Sequence, residues 1–259
     1  MITLTYSSKD VGPVCHRVAR GHNDIHVIRD SKLVGPVKGT LIRWGSRWIG
    51  EANLTINTAQ AVALARDKHE SRIKLEGVCP PTWFTRDEIK VPCVIRPRRH
   101  HAAVNFHTCL HNMDIRGAIK ACGKGWYASK LIEKSREFRV FILQGHIVAV
   151  SERFPANPGD VAWNLAVGGK LINCEKKLWP KSAIIASIGA MKDIGLDWGA
   201  VDVALDNEGK PLVFEVNTAP GLRNPYTISR IAKAFKGIVP GLEPAKGTTW
   251  KKLIHPSLL

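Results

Sequence analysis

Two carboxylates and an amide lie on what the pattern predicts to be neighbouring strands near the end of the chain. Asp202 interrupts the apolar run GAVDVAL, and Glu215 and Asn217 lie two residues apart in LVFEVN. A carboxylate inside an apolar strand is costly to keep charged unless it is paired or bound to a cation. Oxygen ligands of this kind suit Mg²⁺ held together with substrate phosphates, so the segment predicts a site for a metal and a nucleotide. This segment alone leaves a surface hairpin with ordinary polar positions open as the alternative.

The elements that must position these side chains are a β-hairpin and a further strand. Asp-Asn-Glu-Gly at 206–209 supplies the turn between the two predicted strands. Upstream, alternation in EFRVFIL puts Glu137, Arg139 and Phe141 on one face of a strand and their neighbours on the other. A polar pair on one face of a strand can line a cleft.

Basic residues in four separate segments could meet at the same cleft. A triphosphate needs cations and hydrogen-bond donors, and Lys68, Arg96, Arg139 and Arg153 offer them. For each residue taken singly, a solvated surface position is the alternative interpretation.

Four stretches of the chain resemble the ATP-grasp ligases, in the order that those enzymes have. The end from IGLDWGAVD to EVNTAPG resembles their metal-binding part, and VSERFPANPGDVAWNLAVGGKL is similar to a segment of RimK-type glutamate ligases. The stretch ASKLIEKSREFRVFILQGHIVAV resembles their hinge and following strand, and NTAQAVALARDKHESRIKLEGVCPPTW resembles their entry helix. Together with an intervening strand, the resemblance covers roughly residues 41–235.

The resemblance implies a role for each residue that matches a family motif. By this resemblance, the hinge that contacts adenine would be Lys130, Leu131 and Ile132, followed by Glu137, and the ATP phosphates would be bound by Lys68 and Arg96. The residues facing the transferring phosphoryl group and the acceptor carboxylate would be Arg139, Arg153 and Asn164. The metal ligands would be Asp202, Glu215 and Asn217.

The activity that the resemblance implies is ATP-dependent joining of a carboxylate to an amine. ATP and Mg²⁺, with Mn²⁺ as a substitute ion, are the implied cofactors, and an acylphosphate is the implied intermediate. The carboxylate and the amine are unknown: a free amino acid, a peptide terminus, a polyamine and a modified base all fit. Two alternatives remain open, a kinase with the same fold and an inactive ATP-grasp relic that binds nucleic acid.

One part of the chain departs from the family pattern. The strand that usually carries a second lysine reads PCVIRP, so that Arg96 replaces the lysine, and the following loop has Arg98, Arg99, His100 and His101 but no glycine. Glycines let the backbone approach phosphate closely, whereas this loop could do so only with arginine side chains. The loop could instead bind a polyanionic substrate.

The same region also invites a zinc hypothesis. His107, Cys109 and His111 alternate, so a strand would place all three on one face. The spacing matches no standard finger or ribbon, and histidines on a wet surface are the alternative.

Composition limits the class of protein. The chain has 259 residues, is 44% hydrophobic and carries a formal charge of +16, which favours a polyanionic partner such as nucleic acid or an acidic peptide, or else a dispersed basic surface. No apolar run approaches the roughly 18 residues that span a bilayer, so a cytoplasmic protein without a membrane partner is expected. The six scattered cysteines predict reduced thiols.

The element pattern predicts an α+β protein with the ATP-grasp fold, in which two subdomains clasp ATP. We expect a reduced N-terminal pre-ATP-grasp domain at 1–57, an entry helix and small subdomain at 58–127, a large subdomain at 128–235, and a C-terminal extension at 236–259 packed on the surface. The segment 57–77 reads as one helix ended by Gly77, and CHRVARGH as a helix between the first two strands.

Overall fold

The structure is a computed structural model that describes residues 1–99, 105–243, 245 and 249–259. Helices and sheets are mixed along the chain, which confirms the α+β class. Three sheets account for all the paired strands in these ranges.

A small parallel sheet forms the N-terminal part of the chain. It contains β1 (Ile2–Tyr6), β2 (Ile25–Arg29), β3 (Val37–Arg43) and β4 (Ala52–Ile56), in the order β2-β1-β3-β4, and α1 (Gly12–Ala19) connects the first two strands. The predicted helix between β1 and β2 is therefore present, although it begins and ends three residues earlier than CHRVARGH. Pro13 in its first turn explains the earlier start, because proline fits the first turn of a helix.

The segment predicted as one helix is two helices, α2 (Ala59–Arg66) and α3 (Lys68–Lys74). Asp67 between them has an extended backbone, and its carboxylate accepts hydrogen bonds from the amides of His69 at 3.2 Å and Glu70 at 3.3 Å. An aspartate that caps a helix competes with a continuous helix, which is why the single-helix prediction was wrong. The break places Lys68 in the first turn of α3.

A second sheet follows these helices and is antiparallel. Its strands are β5 (Thr82–Trp83), β6 (Cys93–Pro97), β7 (His107–Cys109) and β8 (Trp126–Lys130), in the order β5-β8-β6-β7, with α4 (Asn112–Cys122) packed on it.

The largest sheet carries most of the predicted site. It contains β9 (Lys134–Leu143), β10 (His146–Phe154), β11 (Lys170–Asn173), β12 (Trp198–Asp206) and β13 (Pro211–Asn217), in the order β11-β10-β9-β12-β13. One face packs on α5 (Lys181–Ile194), which ends at a left-handed Gly195. Part of the other face packs on the N-terminal sheet and on α6 (Pro225–Lys236).

The last residues of the chain contribute to the core, so the prediction of an extension on the surface was wrong for them. The short helix α7 (Trp250–Leu253) leads into Ile254, which is 4% exposed and bridges to Ile147 of β10. The His255 amide donates to the Ile147 carbonyl at 3.0 Å. Burial of Leu253 and Ile254 among the apolar residues under the large sheet holds this segment in place. Within the described ranges, no helix combines the length and the apolar character needed to cross a bilayer.

Candidate active site

A cavity of about 860 Å³ lies where the three sheets meet. All twelve residues named from the sequence line it: Lys68, Arg96, Lys130, Leu131, Ile132, Glu137, Arg139, Arg153, Asn164, Asp202, Glu215 and Asn217. The fold thus brings together residues from seven separate segments.

The floor of the cavity is a charged face of the large sheet. Alternation in β9 is as predicted: Glu137 and Arg139 face the cavity, whereas Phe141 on the same face packs toward the N-terminal sheet. In the strand register Arg139 lies opposite Asp202 of β12, and Asp202 lies opposite Glu215 of β13. The register therefore places one arginine and two carboxylates side by side on three neighbouring strands.

Short hydrogen bonds connect these charges. Arg139 donates to both oxygens of Asp202, from Nε to Oδ1 at 2.7 Å and from Nη2 to Oδ2 at 2.8 Å. Arg153 of β10 donates from Nη2 to Asp202 Oδ2 at 2.8 Å and from Nη1 to Glu137 Oε1 at 2.9 Å. A bidentate pair of this kind fixes both the position and the orientation of its carboxylate.

Burial and ion pairing have opposite effects on the pKa of Asp202. Its side chain is 4% exposed. Burial by itself raises the pKa of Asp202, but the charges of Arg139 and Arg153 outweigh it and lower the pKa below its usual value. Asp202 is therefore ionised at neutral pH.

The residues predicted as metal ligands form a compact set of oxygen donors. Asp202 and Glu215 are cross-strand partners, and the amide of Asn217 donates to Asp202 Oδ2 at 3.2 Å. Lys68 Nζ lies 2.7 Å from Glu215 Oε1. Two carboxylates held opposite each other repel unless a cation lies near them, and two carboxylates plus an amide suit a hard divalent ion. The chemistry of this donor set therefore fits Mg²⁺.

The hinge residues line the cavity beyond the charged floor. The Lys130 amide donates to the Pro81 carbonyl at 2.8 Å, and the Leu131 amide donates to the Pro92 carbonyl at 3.0 Å. These bonds tie residues 130 and 131 to the segments that flank the small sheet.

Asn164 also lines the cavity, just before a turn at 165–167. Its carbonyl accepts from the Gly169 amide at 3.1 Å, and its buried side-chain oxygen Oδ1 has no hydrogen-bond partner within the described ranges. A Cβ on Gly169 would lie 2.4 Å from the Trp163 carbonyl oxygen, so only glycine fits this close approach.

Lys134 is a cavity residue that the sequence analysis missed. Its ammonium pairs with Glu137 and lies 4.5 Å from the ring centre of Trp163 and 5.5 Å from that of Phe214. Burial lowers the pKa of Lys134, and the charge of Glu137 only partly opposes this. The Lys-x-x-Glu spacing at the start of β9 was the only signal in the sequence, and it is weak.

The first loop arginine after β6 is paired with a carboxylate. Arg98 is one of the arginines through which the loop could approach phosphate, and in the structure its Nε donates to Asp67 Oδ1 at 2.8 Å and its Nη2 to Asp67 Oδ2 at 2.7 Å. The Lys68 amide donates to the Arg98 carbonyl at 3.3 Å. Arg98 thus anchors the loop to the first turn of α3, whereas Arg99 lines the cavity. His100 and His101 lie outside the described residues.

The zinc hypothesis receives no support from the described part of the chain, in which no three His, Cys, Asp or Glu side chains come close enough to hold a metal. Strand β7 ends at Cys109, and His111 lies at the start of α4, so the three residues do not share one strand face. All six cysteines are free thiols and are buried.

The sequence matches the family described as RimK-like ATP-grasp domain over residues 88–238. A probable alpha-L-glutamate ligase of Legionella pneumophila (strain Corby) is 31% identical over 176 residues, which cover 67% of this chain and 54% of the relative. A probable alpha-L-glutamate ligase of Coxiella burnetii (strain Dugway 5J108-111) is 38% identical over 99 residues, covering 38% of this chain and 31% of the relative. The chain thus spans about half the length of the first of these relatives.

Solved structures of ATP-grasp ligases share the fold. The VanG D-Ala:D-Ser ligase from Enterococcus faecalis superimposes with a TM-score of 0.67 at 13% identity, covering 91% of this chain and 98% of that one. The ATP-grasp ligase PsnB, in complex with a minimal precursor, gives a TM-score of 0.64 at 14% identity, with the same coverage.

Proposed function

We propose that this chain, which belongs to the family of RimK-like ATP-grasp domains, uses ATP to join a carboxylate to an amine. The observation that carries the proposal is the buried charged floor of the cavity, where Arg139 and Arg153 converge on Asp202 beside Glu215 and Asn217. Holding so many charges away from water is costly for folding, which is the arrangement expected of a site built to bind and transfer a charged group.

The nucleotide would lie with its adenine at the hinge 130–132 and its phosphates toward the metal ligands. Lys68, in the first turn of α3, and Arg96, on β6, both line the cavity and would grip the phosphates. When bound by Asp202, Glu215 and Asn217, Mg²⁺ would neutralise charge on the phosphate oxygens.

In the first step, a carboxylate oxygen of the substrate would attack the γ-phosphorus, and the bond to ADP would break. Arg139 and Arg153 are held in fixed orientations by Asp202 and Glu137, so they would stabilise the transferred phosphoryl group without reorganising. In the second step, an amine nitrogen would attack the acyl carbon, phosphate would leave, and the amine would lose a proton. Asn164, whose buried Oδ1 lacks a partner in the described structure, would orient one of the substrates.

The names of the relatives suggest the kind of substrate. Because two of them are named probable alpha-L-glutamate ligases, we propose that one substrate is an amino acid such as glutamate and that the other is an amino acid or a peptide terminus.

The test is ADP release by the purified chain with Mg²⁺, ATP and pools of amino acids, peptides and polyamines. We expect release that depends on a pool, falls at least about 100-fold in Glu215→Gln, and persists in the control Glu208→Gln. Glu208 is a suitable control because it is exposed in the turn between β12 and β13. The proposal fails if no pool stimulates release and a non-hydrolysable ATP analogue does not raise the melting temperature. A phosphorylated product without amide formation would indicate a kinase instead.

A further inference from the structure

A second cleft, of about 450 Å³, lies on the N-terminal sheet between α1 and the edge strand β2. It is separate from the active-site cavity, and none of the twelve residues named for the ligase site lines it. Its volume is within the range of sites that bind small molecules, about 300–1,000 Å³. A ligand bound there would therefore be distinct from the substrates of the proposed ligase reaction.

Basic side chains from four segments of the chain line this cleft. Lys9 follows β1, His16 lies on α1, Arg29 ends β2, and Lys32 lies in the turn at 30–32. Among the described residues, the lining contains two lysines and one arginine but no aspartate or glutamate, a formal net charge of +3. No carboxylate within the described ranges forms an ion pair with these two lysines or this arginine.

The acidic residues that adjoin this basic cluster in the sequence are directed elsewhere. Asp10, next to Lys9, lines the active-site cavity instead of the cleft. Asp30, next to Arg29, accepts a hydrogen bond from the hydroxyl of Ser46 at 3.2 Å. On an ordinary protein surface, charges of both signs are interspersed. Here the fold separates them and leaves only positive charge in the cleft, which favours an anionic ligand.

Arg29 is held in place and still has donors for a ligand. Its Nε donates to the Ser7 carbonyl at 3.3 Å, which holds the guanidinium against the loop between β1 and α1. Its two Nη nitrogens have no hydrogen-bond partner among the described residues. A guanidinium offers N–H groups in a planar fork that matches the oxygens of a phosphate, and a lysine ammonium adds a point charge.

The remaining wall of the cleft is largely apolar and is formed by Tyr6, Pro13, Val27 and Ile28. The ring of Tyr6 packs against the backbone of Gly12, where a Cβ would lie 2.8 Å from the ring. Only glycine allows this approach, which keeps the half-buried ring at the cleft. An apolar wall beside a few convergent polar groups is typical of sites for small organic molecules.

A single loop, residues 7–12, separates the cleft from the active-site cavity. Lys9 and Gly12 line the cleft, whereas Ser8 and Asp10 line the active-site cavity. Ligands in the two sites would contact different sides of this loop, so both sites can be occupied at the same time.

We propose that the cleft binds a small organic phosphate. The phosphate group would be held by Lys9, Arg29 and Lys32, and the organic part would lie against the ring of Tyr6. Because a phosphate monoester carries up to two negative charges and three terminal oxygens, it can accept hydrogen bonds from three converging cations, which a single carboxylate does less well. The ligand would be bound without being consumed, since the residues of the proposed phosphoryl transfer lie in the other cavity.

The test is calorimetric binding of uridine monophosphate and of uridine to the full chain, with and without a saturating non-hydrolysable ATP analogue and Mg²⁺. We expect the monophosphate to bind at least about tenfold more tightly than uridine, and the ATP analogue to leave this difference unchanged. Lys9→Gln and Lys32→Gln should each weaken binding of the monophosphate about three- to tenfold. Both lysines are exposed, so neither change should affect folding.

The matched control is Lys38→Gln, which removes the same charge from an exposed position on β3 of the same sheet, outside the cleft. It should change the affinity for the monophosphate less than about twofold. Amide NMR locates the ligand without any substitution: in the wild type, the monophosphate should shift the resonances of Gly12 and Val27 and leave that of Asp202 unchanged.

Four results would overturn the inference. The monophosphate and uridine could bind equally, or Lys38→Gln could weaken binding as much as Lys9→Gln, and either result would mean that the cleft does not recognise the phosphate. Competition by the ATP analogue would place the monophosphate in the active-site cavity. Inorganic phosphate binding as tightly as the monophosphate would exclude an organic ligand, because the apolar wall would contribute nothing.

Two further probes separate the chemical class of the ligand. Equal affinity for uridine 5′-carboxylic acid would make the ligand a carboxylate, and an affinity for oligothymidylate that rises with each added nucleotide would make it a nucleic acid; both contradict the proposal. If the ATP analogue itself does not bind but the monophosphate binds as expected, the cleft assignment stands while the proposed ligase function fails.

Discussion

Replacing Asp202 by asparagine should destabilise the protein even when no nucleotide or metal is bound. Asparagine keeps the shape of the side chain but removes the charge that Arg139 and Arg153 share, and its amide nitrogen cannot accept their hydrogen bonds. Removing one partner of a buried ion pair costs about 3–5 kcal/mol, because the other charge is left without compensation. Arg153 keeps its bond to Glu137, so we expect the lower end of this range, about 3 kcal/mol.

Thermal unfolding followed by circular dichroism measures this change. For a chain of this size, about 3 kcal/mol corresponds to a fall in melting temperature of roughly 6–12 °C. The matched control is Asp193→Asn, which removes a carboxylate from the exposed face of α5 and should change the free energy of unfolding by about 0.5 kcal/mol or less.

The pH dependence provides an independent check of the same interaction. The pKa of Asp202 is lowered in the folded protein from its ordinary value of 3.8, so its stabilising contribution is complete above that value. The contribution is lost as the pH falls through the lowered pKa. The difference between wild type and Asp202→Asn should therefore be constant from about pH 8 to about pH 5 and shrink in stronger acid. A difference of less than about 2 °C at neutral pH, or one that grows in acid, would refute the reasoning.

Two further substitutions test how other parts of the chain support the site. Asn57→Ala should cost about 2–4 kcal/mol in urea unfolding, because the buried Asn57 Oδ1 accepts from the amides of Asp197 at 2.9 Å and Trp198 at 2.8 Å, which would lose their partner. A cost below about 1 kcal/mol would show that this connection does not hold the N-terminal sheet to the large one. Ile254→Ala should cost about 2–4 kcal/mol in the same assay if the chain end is part of the core beside Ile147, whereas a surface position predicts a change near zero.

The charged floor could be predicted because its signals are local. Alternation along β9 and β12 and the turn at 206–209 determine which side chains share a face, and they placed Arg139, Asp202 and Glu215 correctly. The local sequence pattern does not show which residue each charged side chain pairs with. That Arg153 would connect Glu137 to Asp202 depends on the pairing of β10 with β9, which is a contact between distant segments.

The predictions that were wrong failed because a single side chain or a distant contact outweighed the pattern. The helical periodicity across 57–77 is real, but the carboxylate of Asp67 caps a new helix and bonds to Arg98, so the chain turns there. The prolines near the end of the chain predict an extension on the surface. Leu253 and Ile254 are nevertheless buried beside β10, and this contact between distant segments has no signal in the sequence around them. Lys134 was missed because an isolated basic residue in a sequence most often indicates a solvated surface.

The most direct test of the central claim follows the oxygen atoms of the substrate. The chain is supplied with Mg²⁺, ATP and a stimulating substrate labelled with ¹⁸O in its carboxylates, and the released phosphate is analysed by mass spectrometry. If the carboxylate attacks the γ-phosphorus and the amine later displaces phosphate, one ¹⁸O atom is transferred to each phosphate, and the organic product gains an amide. Phosphate without ¹⁸O, released alongside ADP, would contradict the account, because ATP would then be cleaved without activating the carboxylate.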